Sequence, residues 1–240
     1  MALPKISDIP YYDVVIPSTG KSAKYRPFLV REEKVLLMAV ESQDQKQILN
    51  ATVELIKACV DTDMNINVMT IYDIEYLFTQ IRSKAVGETV DVVLECQNKE
   101  CLAANDVNVR LDQIEVDVQD DTVRTIDISS KVSVEMRHLP YSALGVSDQL
   151  TNPESYADLI FHTVVSCITA VLTEDERLLA EDETRADLEE FVGSLTTQQF
   201  TKLREFVENA PSVSKLVEFD CERCQHSNKY ILNGLQDFFG

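Results

Sequence analysis

The chain has 240 residues, 45% of them hydrophobic and none Trp, with 41 Asp and Glu against 22 Lys and Arg for a net charge of −19. That length and apolar content suit one compact domain or two small ones and exclude collagen-like, mucin-like and wholly disordered chains. The charge excludes a nucleic-acid grip built on counterion release and argues against anionic membrane surfaces, and without a run of about 18 apolar residues no transmembrane helix is expected.

Residues 1–28 read as an extended arm. Four of the seven prolines (Pro4, Pro10, Pro17, Pro27) fall there, and Pro17-Ser18-Thr19-Gly20 is a turn signal. Proline fixes φ and removes a donor, so the arm is expected to run over a surface without regular pairing, on its own domain or on a partner subunit. Through residue 34 it leans basic, with Lys5, Lys21, Lys24, Arg26, Arg31 and Lys34 against Asp8, Asp13, Glu32 and Glu33. The opening Met-Ala-Leu-Pro-Lys leads into polar sequence rather than an apolar core, so no signal peptide is expected. Six cysteines in such a chain point to a reducing compartment, where spaced cysteines bind metal more often than they form disulfides.

A helical segment is expected over 29–86. Its first helix, near 30–42, turns Leu36, Leu37 and Val40 inward. The second starts at Asp44 with Gln47 three residues on, a capping-box spacing, and carries the stripe Ile48, Ala51, Leu55 and Cys59. The third opens at Thr70 with Asp73 at the same spacing, followed by Ile74, Leu77, Phe78 and Ile81 at a 3.6-residue period.

After Gly87 the period becomes two. Val90, Val92, Leu94 and Cys96 mark one strand, and Val107, Val109 and Leu111 a second. Ile114, Val116 and Val118, then Ile126 and Ile128, then Val132, Val134 and Met136 continue the alternation. Residues 87–140 thus read as a β-rich insert holding the first cysteine pair. Helices return over 141–212. Asn152-Pro153 is a cap followed by Pro at the first helical position, and Ile160, Val164, Cys167, Ile168 and Val171 form a buried stripe. Thr173 with Glu176 opens a further helical segment, and residues 174–190, with nine acidic and two basic side chains, form its solvated face. Thr196 with Gln199 caps a last long helix carrying Phe200, Leu203, Phe206 and Val207, and Asn209-Ala210-Pro211 stops it. Residues 213–240 hold a strand (Val217, Phe219), a turn at Cys221–Cys224, a strand at Tyr230–Leu232 and a helical turn at Leu235–Phe239. No internal repeat stands out. The fold class is α+β: a helical domain with a β-rich, zinc-ribbon-like element and an extended N-terminal arm.

Four cysteines carry the chemistry. Cys96 and Cys101 form a C-x4-C pair, Cys221 and Cys224 a C-x2-C pair, and each pair follows an alternating strand. That is the layout of a zinc ribbon, in which each hairpin tip offers two thiolates and two tips complete a tetrahedron about Zn²⁺. The 119 residues between Cys101 and Cys221 are no obstacle, because loop-closure entropy grows slowly with length. A redox pair or plain reduced thiols are the alternatives. A site of four thiolates has no open position and no catalytic role. Cys59 and Cys167 lie on apolar helical stripes and read as core thiols. His226, two residues past Cys224, could replace a ligand or lie at the surface, and His138 and His162 read as structural. There is no G-x-G-x-x-G, G-x-x-x-x-G-K-[ST], H-E-x-x-H or G-x-S-x-G, so nothing argues for an enzyme.

The segments YYDVVIPSTGK (11–21) and YRPFLVREEKVLL (25–37) near one end, and FVGSLTTQQF (191–200), FVENAP (206–211), VEFDCERC (217–224) and LNGLQDFF (232–239) near the other, resemble the T4-type bacteriophage baseplate protein family. The middle of the chain matches only by its place in the order, and the C-x4-C spacing departs from the family's usual C-x2-C. The resemblance implies a non-enzymatic component or assembly factor of the central baseplate hub of a contractile-tailed phage. Its partners would be other hub and tail proteins in a hetero-oligomeric assembly, not nucleic acid or membrane. Its place would be the virion tail or, during assembly, the host cytoplasm. The arm at 1–34 and the acidic helices at 174–209 are then the contact elements. Two rivals are a chaperone-like tail assembly factor absent from the mature virion and a zinc-ribbon adaptor or enzyme. Glu95, Glu100, Asp220 and Glu222 around the cysteines speak against a nucleic-acid ribbon.

Overall fold

The computed structural model describes residues 8–61, 65–116, 118, 123–146, 148–151, 153–234 and 237. Along the chain run β1 (Tyr12–Val15), β2 (Ser22–Tyr25), α1 (Val30–Ser42), α2 (Gln45–Cys59), α3 (Ile71–Ala85), β3 (Thr89–Glu95), β4 (Ala104–Arg110) and β5 (Glu115–Val116). Then come β6 (Val123–Asp127), β7 (Ser133–Arg137), α4 (Tyr141–Val146), α5 (Asp148–Thr151), α6 (Tyr156–Cys167), β8 (Ile168–Leu172), β9 (Arg177–Leu179), α7 (Arg185–Gly193), α8 (Thr197–Glu208), β10 (Val213–Asp220) and β11 (Ser227–Asn233). This α+β chain forms two compact units, each discontinuous in sequence. Unit 1 comprises Met1–Met64, Tyr72–Asp117 and Ser212–Gly240; unit 2 comprises Asn65–Ile71 and Val118–Pro211.

In unit 1 the expected unpaired arm is instead a hairpin from residue 12 to 25, with β1 and β2 antiparallel. Pro10 precedes it, Pro17 lies in its turn and Pro27 follows it, so no proline removes a ladder donor. The turn closes through Ile16 N–H to the Lys21 carbonyl at 2.9 Å and Gly20 N–H to the Ile16 carbonyl at 2.8 Å. Gly20 has φ 65, a conformation glycine adopts without a Cβ penalty. Two four-residue strands are marginal alone. Burial of Val14, Ile16, Ala23 and Tyr25 holds them in place. The fully buried Asp73 of α3 anchors the turn, accepting the Ser18 N–H at 2.9 Å and its hydroxyl at 2.6 Å. Arg26, counted as arm charge in sequence, is buried; it donates to the Ala58 carbonyl at 2.8 Å and meets Glu32 at 3.1 Å.

Glu32 also starts α1, accepting the Leu29 N–H at 2.7 Å. Burial pushes its carboxyl up, but Arg31, the Leu29 N–H and Arg26 outweigh that and hold it below its ordinary value of 4.5. A depressed carboxylate contributes stability above its unfolded value and loses it as pH falls through the folded one. Glu32→Gln is therefore expected to cost about 1 kcal/mol at neutral pH, the worth of a helix cap. It should also flatten the acid limb of the stability curve below pH 4.5. Denaturant titrations at pH 7 and pH 3.5 check this; equal losses at both would refute it.

The inward arc of α1 is not the expected one. Ala39 is buried, whereas Leu37 and Val40 are 55% and 49% exposed. Seven of its thirteen residues are apolar and lie all round the axis, so periodicity does not select an arc, and packing on α2 does. In α2, Asp44 accepts the N–H groups of Lys46 and Gln47 at 2.9 and 3.1 Å, as its spacing implied. Ala51, Leu55 and Cys59 are buried together with Val53 and Ile56, and α3 buries Ile74, Leu77, Phe78 and Ile81.

The expected β insert divides between the units. In unit 1, β3 pairs with β4, and a second sheet has the order β11-β10-β5. In unit 2, the order is β6-β7-β8-β9, all antiparallel. Its core joins Val134 and Met136 of β7, Val164 and Cys167 of α6, and Leu203 and Phe206 of α8. The stripe expected to stay helical through Val171 switches to strand at Ile168, where the chain joins β7. Thr173 and Glu176 form the β8–β9 turn rather than a helix start: the Thr173 N–H reaches the Glu176 carbonyl at 2.8 Å, and the Glu176 N–H reaches Thr173 Oγ1 at 3.0 Å. The acidic stretch is thus a hairpin turn, a strand and an exposed loop before α7, which Thr184 caps. Thr196 and Gln199 cap α8 reciprocally. Ser155 caps α6; Asn152 lies outside the described residues, as does most of the terminal turn at 235–239. Among the described residues no helix is long and apolar enough to cross a membrane.

Candidate metal centre

Two hairpins of unit 1 build the site. β3 and β4 pair from Thr89↔Arg110 to Glu95↔Ala104, and β10 and β11 from Ser214↔Asn233 to Asp220↔Ser227. Each ladder ends one residue before its first cysteine. Cys96 N–H donates to the Ala103 carbonyl at 2.8 Å, and Cys221 N–H to the His226 carbonyl at 2.9 Å, closing the two tips alike. Val92, Leu94, Val107 and Val109 of one hairpin share a core with Val217, Phe219 and Leu232 of the other, around Leu111, Ile114 and Val213. This apolar packing brings together cysteines separated by more than a hundred residues.

The sulfurs of Cys96, Cys101, Cys221 and Cys224 all lie within 4.8 Å of one another. Cys96 Sγ is 3.6 Å from Cys224 Sγ, and Cys101 Sγ is 3.8 Å from Cys221 Sγ. Thiolates arranged tetrahedrally about 2.3 Å from an ion stand roughly 3.8 Å apart, so the donor set fits one soft cation. All four thiols are free, and their spacing is far beyond a disulfide bond of about 2.05 Å. The longer C-x4-C tip absorbs its two extra residues in a turn. Cys101 and Leu102 both donate to the Asn98 carbonyl, at 2.8 and 3.1 Å. Leu102 and Gln225, each just past a second cysteine, take left-handed φ values of 45 and 59 that return the chain to its strand. The wider spacing therefore still leaves all four sulfurs within 4.8 Å of one another.

The thiols of the cluster differ in their electrostatics. The backbone N–H groups of Cys224 and Arg223 pull the Cys221 thiol down to about 6 despite its burial. Burial pushes Cys96 up to about 11. An incoming ion must displace thiol protons, so its affinity is expected to fall as the medium is acidified, most steeply below pH 6, where Cys221 also protonates. Zn²⁺ competition titrations at pH 5.5 and 7.5 check this, and equal affinities would contradict it.

The other candidates fall outside the cluster. Cys59 and Cys167 are core thiols, pushed up by burial to about 11 and 12. His226 is exposed, and its carbonyl closes the second tip. His138 stacks on Phe206 with ring centroids 4.7 Å apart. His162 sits 3.2 Å from Asp158 and 3.3 Å from Glu189, tying α6 to α7. Glu95, Glu100, Asp220 and Glu222 are all exposed around the tips. Two residues escape the sequence reading: Asn105 and Asn228, 5% and 0% exposed beside the tips. A signal was present, because each stands four residues past the second cysteine of its hairpin. The hairpins are a short internal repeat that the unequal cysteine spacing hides.

Four thiolates can hold and enclose an ion but leave no position for a substrate. The sequence model of the family described as T4 bacteriophage base plate protein matches residues 9–240. No curated protein and no solved structure matches the chain.

Proposed function

The chain belongs to the family of T4 bacteriophage base plate proteins, and we propose that it serves without catalysis as a component or assembly factor of the baseplate's central hub. The family match over nearly the whole chain carries this reading. A protein of this kind works through surfaces, and α1 presents one. Val30, Val35, Leu37, Met38 and Val40 are 49–79% exposed on one helix, an apolar surface that a partner is expected to cover. α1 is thus added to the expected contact elements, the N-terminal segment 1–34 and the acidic stretch 174–209; within the former, Arg26 is buried and out of a partner's reach. The partners are other hub and tail proteins of the virion.

The ion proposed for the four cysteines is Zn²⁺, held by Cys96, Cys101, Cys221 and Cys224. When bound it would supply a structural crosslink between the two hairpins. Mass spectrometry of purified virions and of tail-assembly intermediates tests the role. A hub component is present in both, whereas a chaperone-like factor appears only in intermediates. Absence from both overturns the reading. The double variant Leu37→Asp with Met38→Asp should keep its fold, because both side chains are already in water, and should fail to enter assembly intermediates. Normal incorporation would remove α1 from the contact surface.

A further inference from the structure

The likeness of the two hairpins extends past their cysteines. Asn105 Nδ2 donates to the Ala103 carbonyl at 2.8 Å and the Leu94 carbonyl at 3.4 Å, while its Oδ1 accepts the Glu222 N–H at 3.0 Å. Asn228 Nδ2 donates to the His226 carbonyl at 2.8 Å and the Phe219 carbonyl at 3.4 Å, while its Oδ1 accepts the Gln97 N–H at 2.7 Å. Gln97 and Glu222 are the residues directly after Cys96 and Cys221. Each buried amide therefore braces its own hairpin with nitrogen and grips the other with oxygen. The grip falls on the backbone that aims a thiol.

We propose that Asn105 and Asn228 are positioning residues of the metal centre, a reciprocal clasp that sets the two tips in register before an ion arrives; the proposal rests on the metal reading of the four cysteines. The apolar core brings the two hairpins together but fixes no register at their tips, whereas a neutral side chain that donates to one hairpin and accepts from the other sets that register with no ion bound. Aspartate lacks the donor, and serine is too short to span both hairpins. The clasp is not equally supported on its two sides. Near Gln97 the hairpins meet again, through Gln97 Nε2 to the Lys229 carbonyl at 2.9 Å and the Tyr230 hydroxyl to the Glu95 carbonyl. Beside Glu222 the further cross-hairpin contacts among the described residues are to sulfur and long, Cys101 Sγ to Cys221 Sγ at 3.8 Å and Asn98 Nδ2 to Cys224 Sγ at 3.9 Å. Asn105 is therefore the more exposed half of the clasp to substitution.

Two measurements test this on the full chain. In metal-free wild type, the amides of Gln97 and Glu222 should resist hydrogen exchange. Zn²⁺ competition against a chromophoric chelator should then show a 10–100-fold loss of affinity in Asn105→Ala and a smaller loss in Asn228→Ala. Both variants should keep one ion per chain and the tetrahedral Co²⁺ spectrum. Unprotected amides in the metal-free protein, or wild-type affinity in both variants, overturn the clasp while the metal reading stands. A wild-type chain that takes up neither Co²⁺ nor Zn²⁺ overturns the metal reading and the clasp with it. The exchange measurement uses no variant, so a substitution that prevents folding does not remove the test.

Discussion

Replacing Cys221 and Cys224 together by serine is expected to strip the chain of its bound zinc and to lower its melting temperature by roughly 20 °C or more. Structural Zn²⁺ contributes about 10–16 kcal/mol in small peptides, as much as the net stability of a typical domain, about 5–15 kcal/mol. The six buried apolar residues of the hairpin core are few, and the core is assembled from distant stretches of chain. That burial and the Asn105–Asn228 clasp hold the tips in register without the ion but leave the hairpin pair only marginally stable against the ordering entropy, so loss of the crosslink is felt strongly. Protein purified without added zinc should carry about one ion per chain, and the double variant none. Removing chelatable metal from the wild type should reproduce the variant's melting curve. A double variant that melts like the wild type and holds as much metal rules the site out.

The second large effect lies in unit 2. Leu203 of α8 is 0% exposed and packs in the core formed with Val134, Met136, Val164 and Phe206. Leu203→Ala is expected to cost about 2–5 kcal/mol, from lost burial plus the cavity left behind. The metal content should stay at that of the wild type, because all four cysteines lie in unit 1. Denaturant unfolding and metal analysis on the same preparation separate the two effects. A loss below about 1 kcal/mol would mean that the site collapses around the smaller side chain.

What the sequence disclosed depended on how far its signals reach. Local chemistry was legible. Asp44 and the Thr196–Gln199 pair cap helices because a side-chain oxygen two or three residues from a free N–H needs nothing from the rest of the fold. The four cysteines were legible as a group because the donor type restricts what they can do, whatever their separation. Signals that depend on packing were not legible. Thr173 with Glu176 has the same spacing as a cap, but it follows a strand and becomes a hairpin turn. The stripe Ile160, Val164, Cys167, Ile168 and Val171 fits a helix throughout, yet pairing with β7 takes its last part into a sheet. Four prolines suggested an arm, although those near the strands flank them, and the Asp73 carboxylate that anchors the turn lies 55 residues from Ser18. Asn105 and Asn228 repeat at a fixed offset from their cysteines, but the repeat has two different loop lengths and more than a hundred residues between its copies.

The order in which unit 1 receives its parts has a consequence for synthesis. The first thiol pair leaves the ribosome with Cys101, and 119 further residues, including most of unit 2, are made before Cys221. At bacterial elongation rates that interval is roughly 6–24 s. Throughout it, Cys96 and Cys101 have no second pair to share an ion with, while the strands and helices of unit 2 are already available to fold. A chain interrupted anywhere before Cys221 lacks half of the four-cysteine cluster and the strands β10 and β11 that complete the hairpin core. Unit 1 is therefore finished only after the whole 118–211 stretch of unit 2 has been made.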